Sequence, residues 1–258
     1  MGELLWKGNK NLLLMVHGFS GYPENLSYLA KKIHAELKYS IKIPRLKGHK
    51  KPLEEFKDTT GEEWIEQLKK IIKENEKKYE QIYLLGFSMG TLLATILVSE
   101  YNLFEKLILV APPFKFPFKK EILLGLAPYF KPFKKYHYKR VDENNGNYNL
   151  NDESMRRKYP VVHEKDPIES IIEFNKIRKI ALNKIGNIDI KTLAILSKKD
   201  RIAVFKNYKF LKNNVKDSII EYLILEKSGH MIPIDYERDE VAKKIIKFIN
   251  EREKDEKK

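Results

Sequence analysis

The stretch that most restricts this chain is Gln81 to Tyr101, where the apolar run Ile82 to Leu85 stops at Gly86-Phe87-Ser88-Met89-Gly90 and an amphipathic segment follows. That order reads as strand, tight turn and helix. Glycines two residues either side of a serine are needed where strand and helix approach so closely that a Cβ would collide. Ser88 then projects alone from the apex of the turn. Twelve glycines and ten serines in 258 residues leave roughly 0.02 chance copies of this spacing, so the pattern carries information. The bland alternative is a serine that caps the helix Met89 to Glu100.

The rest of the chain supplies a frame for such a turn. Leu12 to Val16 is a continuous apolar run, as in a strand buried on both faces, and it ends at His17-Gly18-Phe19-Ser20-Gly21. Glu24 to Leu37 has helical spacing, Tyr39 to Ile43 reads as a strand closed by Pro44, and Arg45 to Glu54 as a loop. Thr60-Gly61-Glu62-Glu63 opens a helix that runs to Lys78 with Trp64, Ile65, Leu68, Ile71 and Ile72 on one face. Strands that alternate with helices in this way predict an α/β fold, a mostly parallel central sheet with helices on both faces. Lys106 to Val110 and Thr192 to Ser197 are further strands, and the long gap between them predicts an insertion. Residues 1–110 and 164–251 are expected to form the core, 111–163 a cap or lid, and 252–258 a frayed charged tail. Asp166-Pro167 reads as cap and first-turn proline of a helix to Ile185. Ile219 to Leu225 is the last strand and Glu237 to Ile249 the last helix.

A serine hydroxyl is a poor nucleophile until an imidazole takes its proton, and the imidazolium so formed needs a carboxylate beside it. With a nucleophile at this kind of turn, the acid follows a late strand and the histidine follows the last one. Asp200 and His230 stand at those places. Asp189, which precedes its strand, and Glu226, which directly ends the last one, fit less well. For Asp200 the alternative is a helix cap before Ile202 to Leu211. The backbone N–H of Met89 and that of Phe19 are the expected donors to an oxyanion. His17 reads as a residue that holds its own loop in shape, and so does His49. His34, His137 and His163 read as surface or local packing. No pair of histidines has zinc-site spacing, so neither metal nor cofactor is expected.

Composition narrows the partners. The chain carries 50 basic and 36 acidic residues, a net charge of +14, but its lysines are scattered beside glutamates, and there is no nucleic-acid-binding module or basic stripe. No cysteine is present, and no apolar run approaches the ~20 residues of a membrane span. These features point to the cytoplasm and leave the oligomeric state open.

Taken together, His17-Gly18-Phe19-Ser20-Gly21, Gly48-His49 with Pro52-Leu53-Glu54-Glu55 and Trp64, Gly86 to Gly90, Lys198-Lys199-Asp200 and Ser228-Gly229-His230 resemble the bacterial carboxylesterase and monoacylglycerol lipase branch of the α/β-hydrolases. The resemblance implies Ser88, Asp200 and His230 as nucleophile, acid and base, Phe19 and Met89 as oxyanion donors, and an acyl ester or monoacylglycerol as substrate. Thioester hydrolysis or acyl transfer at the same site, or a binding protein that keeps only the fold, are the other readings. The chain departs from the family at Gly48-His49-Lys50, where Gly-His-Gly is frequent.

The insertion is rich in Phe, Tyr and Lys. Phe114, Phe116 and Phe130 are the expected lining of an acyl-chain pocket, and eleven basic residues stand against five acidic ones from 111 to 163. Two readings stay open: an ordinary lid, or a segment that also rests on an anionic membrane surface.

Overall fold

The computed structural model describes residues 2–130, 135–138, 141–142, 146–147, 149–160 and 164–251. The expected tail, His163 and the side chain of Phe130 lie outside the described residues. The strands are β1 (Glu3–Trp6), β2 (Asn11–Val16), β3 (Ser40–Pro44), β4 (Gln81–Phe87), β5 (Phe104–Val110), β6 (Tyr136–Tyr138), β7 (Val141–Asp142), β8 (Gly146–Asn147), β9 (Lys165–Pro167), β10 (Thr192–Ser197) and β11 (Ile220–Leu225). The helices are α1 (Ser27–Leu37), α2 (Leu53–Lys57), α3 (Gly61–Asn75), α4 (Met89–Val98), α5 (Phe118–Phe130), α6 (Glu153–Arg156), α7 (Ile168–Lys184), α8 (Lys206–Asn214) and α9 (Arg238–Asn250).

Seven strands form one sheet in the order β1-β3-β2-β4-β5-β10-β11, parallel except for β1. In β2, successive side chains serve different layers, as strand geometry requires. Leu12, Leu14 and Val16 enter one apolar cluster with α3, α4 and α7, while Leu13 and Met15 enter the other with α1 and α9. That double burial is why the run lacks polar residues. Helix α3 starts as its sequence dictates. The Thr60 side chain accepts from the N–H of Glu63, and Glu63 accepts from the N–H of Thr60.

Several elements differ from expectation. Helix α4 is buried on every side, not amphipathic, because α7 lies across the face that would otherwise meet water. Its two threonines turn their hydroxyls back to carbonyl oxygens, Thr91 to Ser88 at 2.7 Å and Thr95 to Thr91 at 2.9 Å. Asp166 does not cap α7, and Pro167 stands at its cap position with extended backbone rather than in the first turn. They belong to β9, opposite His137 and Tyr136 of β6, and the helix begins at Ile168. Pro167 lacks an N–H, which a short two-stranded edge tolerates. Strand β1 adds an antiparallel edge from only four residues. At the departure from the family pattern, Lys50 has φ 53°, a left-handed conformation that favours glycine, and its ammonium reaches Glu24 at 2.7 Å.

Candidate active site

The serine is placed by backbone. Ser88 sits between β4 and α4 at φ 52°, ψ −120°, a conformation that costs a non-glycine residue on the order of 1–3 kcal/mol. Its N–H donates to Val110 O of β5 at 2.9 Å, and its side chain makes no capping bond to α4, so the capping alternative fails. A Cβ at Gly86 would lie 2.3 Å from Gly90 O, and one at Gly90 would lie 2.1 Å from Val16 O. Both glycines are therefore demanded by contact. Gly18 completes the close approach, since a Cβ there would meet the Ser88 Cβ at 3.0 Å.

The structure brings Ser88, His230 and Asp200 together from three loops. His230 Nε2 lies 2.9 Å from Ser88 Oγ, and His230 Nδ1 lies 2.8 Å from Asp200 Oδ2. All three residues are buried. Asp200 does two jobs. Its Oδ1 accepts from the N–H groups of Ile202 and Ala203 at 2.7 and 2.8 Å, which fixes the carboxylate and leaves Oδ2 for the imidazole. The alternative helix cap is thus a turn, and α8 begins only at Lys206. Asp189 is exposed, and Glu226 is turned outward to Lys198 at 2.6 Å.

His17 is not brought to the serine hydroxyl. It is fully buried, its Nε2 accepts from the N–H of Leu46 at 3.1 Å, and its Nδ1 lies 3.0 Å from Gly18 O. Burial pulls its pKa down to about 4, so the ring is neutral at pH 7 and holds two loops together. Phe19 packs between Phe56 and Phe174 at ring distances of 5.2 and 5.4 Å. Phe116 is buried against Phe174, and Phe114 is buried against Phe210. Lys120 of α5 holds its ammonium 4.5 Å from the Phe116 ring centroid. Burial lowers its pKa, and the charges of Asp200 and Asp166 work against that. Arg178 of α7, itself buried, grips the start of the insertion, donating to Phe114 O at 2.8 Å and to both carboxylate oxygens of Glu121. Among the described residues no cluster has the make-up of a metal site.

Sequence reasoning missed two carboxylates that hold the histidine loop. Glu237 accepts from the N–H groups of Glu226, Lys227 and Ser228 and from the Ser228 hydroxyl at 2.7 to 3.0 Å. Burial pushes its pKa up, but these bonds, led by that of Ser228, outweigh burial and hold it below the usual carboxylate range. Asp235 accepts from Gly229. The only signal in the chain was their position just after His230 and before α9.

A mostly parallel sheet with a strained serine after a central strand, and a histidine and aspartate after the last two strands, is the frame of an α/β-hydrolase. The chain belongs to the Hydrolase_4 family (serine aminopeptidase, S33), whose model matches residues 8–237. It is 22% identical over 245 residues to the carboxylesterase of Bacillus subtilis (strain 168), which spans 95% of this chain and 94% of that protein. It is likewise 22% identical over 236 residues to the thermostable monoacylglycerol lipase of Bacillus sp. (strain H-257), across 92% of this chain and 89% of that one. Among solved structures, one from the work on LipS and LipT, two metagenome-derived lipolytic enzymes, superposes with a TM-score of 0.84 at 18% identity, covering 97% of this chain and 98% of its own. That last likeness is one of fold.

Proposed function

We propose that the chain is a serine hydrolase that cleaves carboxylic esters of an acyl chain, among them monoacylglycerols, through an acyl-enzyme. The observation that carries this reading is the continuous hydrogen-bonded line Ser88 Oγ, His230 Nε2, His230 Nδ1, Asp200 Oδ2. His230 takes the serine proton as Ser88 Oγ bonds to the acyl carbon, and Asp200 stabilises the imidazolium. The tetrahedral oxyanion falls to the N–H of Met89, one of the orphan donors at the start of α4, and to that of Phe19. His230 then returns its proton to the leaving alcohol. Water, deprotonated by the same imidazole, releases the acid.

Residues 111–163 serve as the cap in this reading, with Phe114 and Phe116 toward the acyl chain. Along α5, Phe118, Ile122, Leu126 and Tyr129 are exposed at helical spacing, 79% in the case of Phe118, beside a segment of net positive charge. Such a face suits contact with an anionic bilayer, where apolar side chains dip in and lysines meet headgroups. Sedimentation with anionic vesicles, reversed by salt, is expected, and equal partitioning onto neutral vesicles would remove this part.

The central test is a fluorophosphonate probe. It should label Ser88 in the wild-type protein and leave Ser88→Ala unlabelled, with ester turnover falling on the order of 10⁶-fold and the fold retained. Labelling elsewhere, or turnover that survives in Ser88→Ala, would overturn the assignment.

A further inference from the structure

The asparagine-rich part of the cap, which resembles nothing in the family pattern, ends against the histidine loop. Met231 N–H donates to Asn149 O at 3.1 Å, and a Cβ at Gly229 would fall 2.4 Å from that same carbonyl oxygen. Asn151 Nδ2 donates to Lys227 O at 2.8 Å. Beneath them lies Asp235, with no exposed surface. Its Oδ2 accepts from the N–H of Gly229 at 2.7 Å and of Asn151 at 2.9 Å. Its Oδ1 accepts from the N–H of Asp152 and of Tyr236, each at 2.8 Å.

We propose that Asp235 is a positioning residue for His230, and that it does so by fastening the exit of the cap to the residue that precedes the imidazole. The proposal rests on the reading of His230 as the base. One carboxylate thus sets two things at once: where the cap comes down and how the ring is presented to Ser88. The chemistry requires an acid at this position. An ionised carboxylate is acceptor-only and takes four donors, whereas an amide would turn its NH₂ toward two N–H groups and leave them buried without acceptors. The link also works in both directions, because a contact that ties two segments lets movement of either bias the other. A displacement of residues 149–152 would therefore be felt at His230.

Leu150 offers an independent handle on the same joint. It is fully buried in a small satellite cluster with Met155 and Ile234, apart from both main layers of the core. Leu150→Ala loosens the cap end without touching Asp235 or the triad.

The experiment compares the rate of Ser88 labelling by a fluorophosphonate, and kcat and KM for a short p-nitrophenyl ester, in the wild type, Asp235→Asn and Leu150→Ala. All are measured well below each protein's melting temperature. Asp235→Asn should label on the order of 10²-fold more slowly, with kcat reduced to match and KM for the short ester unchanged, since small misplacements of a catalytic group carry penalties of that size. Leu150→Ala should lose about tenfold by the same route. A purely structural role would lower the melting temperature and leave labelling and kcat alone. Folded Asp235→Asn that labels at the wild-type rate overturns the proposal. Should that variant fail to fold, wild-type labelling in Leu150→Ala overturns it equally. Unlabelled wild-type protein would instead bring down the reading of Ser88 as nucleophile, a distinct failure.

Discussion

The serine and the histidine of this site are held by unlike means. Ser88 is fixed by shape: a strained turn between a buried strand and a helix buried on all sides, with Gly86 and Gly90 at contact distances that exclude a Cβ and Gly18 packed close against the serine. His230 lies in an irregular loop fixed by polarity, where Glu237 gathers the N–H groups of 226 to 228 and Asp235 that of 229. Close packing tolerates strain because nothing around it can relax. Hydrogen bonds to a carboxylate position a loop without making it rigid along its whole length, and they let it answer to its neighbours. Ser88 is thus a fixture of the core, and His230 is a fixture of the joint between the last strand's loop and residues 149–152.

The comparison is sharpened most by the acid. Asp200→Asn should reduce turnover on the order of 10⁴-fold, because an amide next to Nδ1 favours the wrong imidazole tautomer, while Asp189→Asn should be nearly silent. Steady-state kinetics of the two variants check this, and the opposite ranking would identify a different acid. Next comes a pair of glycines. Gly90→Ala drives a methyl into the Val16 carbonyl of a central strand and should cost about 4 kcal/mol or more in denaturant unfolding. Gly229→Ala meets the backbone carbonyl of half-buried Asn149 at 2.4 Å, outside the central sheet, so it should cost less stability than Gly90→Ala and slow Ser88 labelling as well. Equal stability losses would erase the distinction between the two halves.

Acid separates the halves more gently. The folded pKa of His17, about 4, lies below its ordinary 6.5, so the unfolded chain binds the proton more readily. Stability from this residue is complete above pH 6.5 and is lost as pH falls to about 4, on the order of 3 kcal/mol at 1.36 kcal/mol per unit. Glu237 also has a depressed pKa, from an ordinary 4.5, so its contribution is present above 4.5 and disappears only below it. Unfolding measured between pH 7 and pH 3 should therefore weaken in two stages. His17→Gln should flatten the first, and Glu237→Gln should reduce the second, which Glu24, Glu100 and Asp152 share through their own lowered pKa values.

Much of this arrangement was legible in the chain itself. The apolar runs of β2, β4, β5 and β10 announce strands buried on both faces, and the glycine spacing around Ser88 announces the turn, because both are local consequences of contact. The positions of Asp200 and His230 follow from chain order. What escaped was decided by partners distant in sequence. Helix α4 looks amphipathic until α7 covers it, and β1 is four residues, two exposed and two half-buried, whose strand character depends on β3. Asp166-Pro167 has the composition of a helix start, but pairing with β6 overrides it. Asp235 and Glu237 are acidic residues in a loop like many others, and only the folded loop shows that backbone N–H groups converge on them.

Strands β5 and β10 are neighbours in register, Leu107 opposite Thr192, yet about eighty residues separate them along the chain. Helix α7 makes the crossing that parallel strands require, so the portion before it is not needed for the parallel pairing itself. Lengthening such an excursion is cheap, since each doubling of a flexible loop costs only about 0.6 kcal/mol in closure entropy. Lengthening residues 111–163 should accordingly cost little in closure entropy. A replacement that keeps the grip of Arg178 on Glu121 at one end and the clasp of Asp235 on residues 151 and 152 at the other should inherit an aligned imidazole along with a new choice of ester.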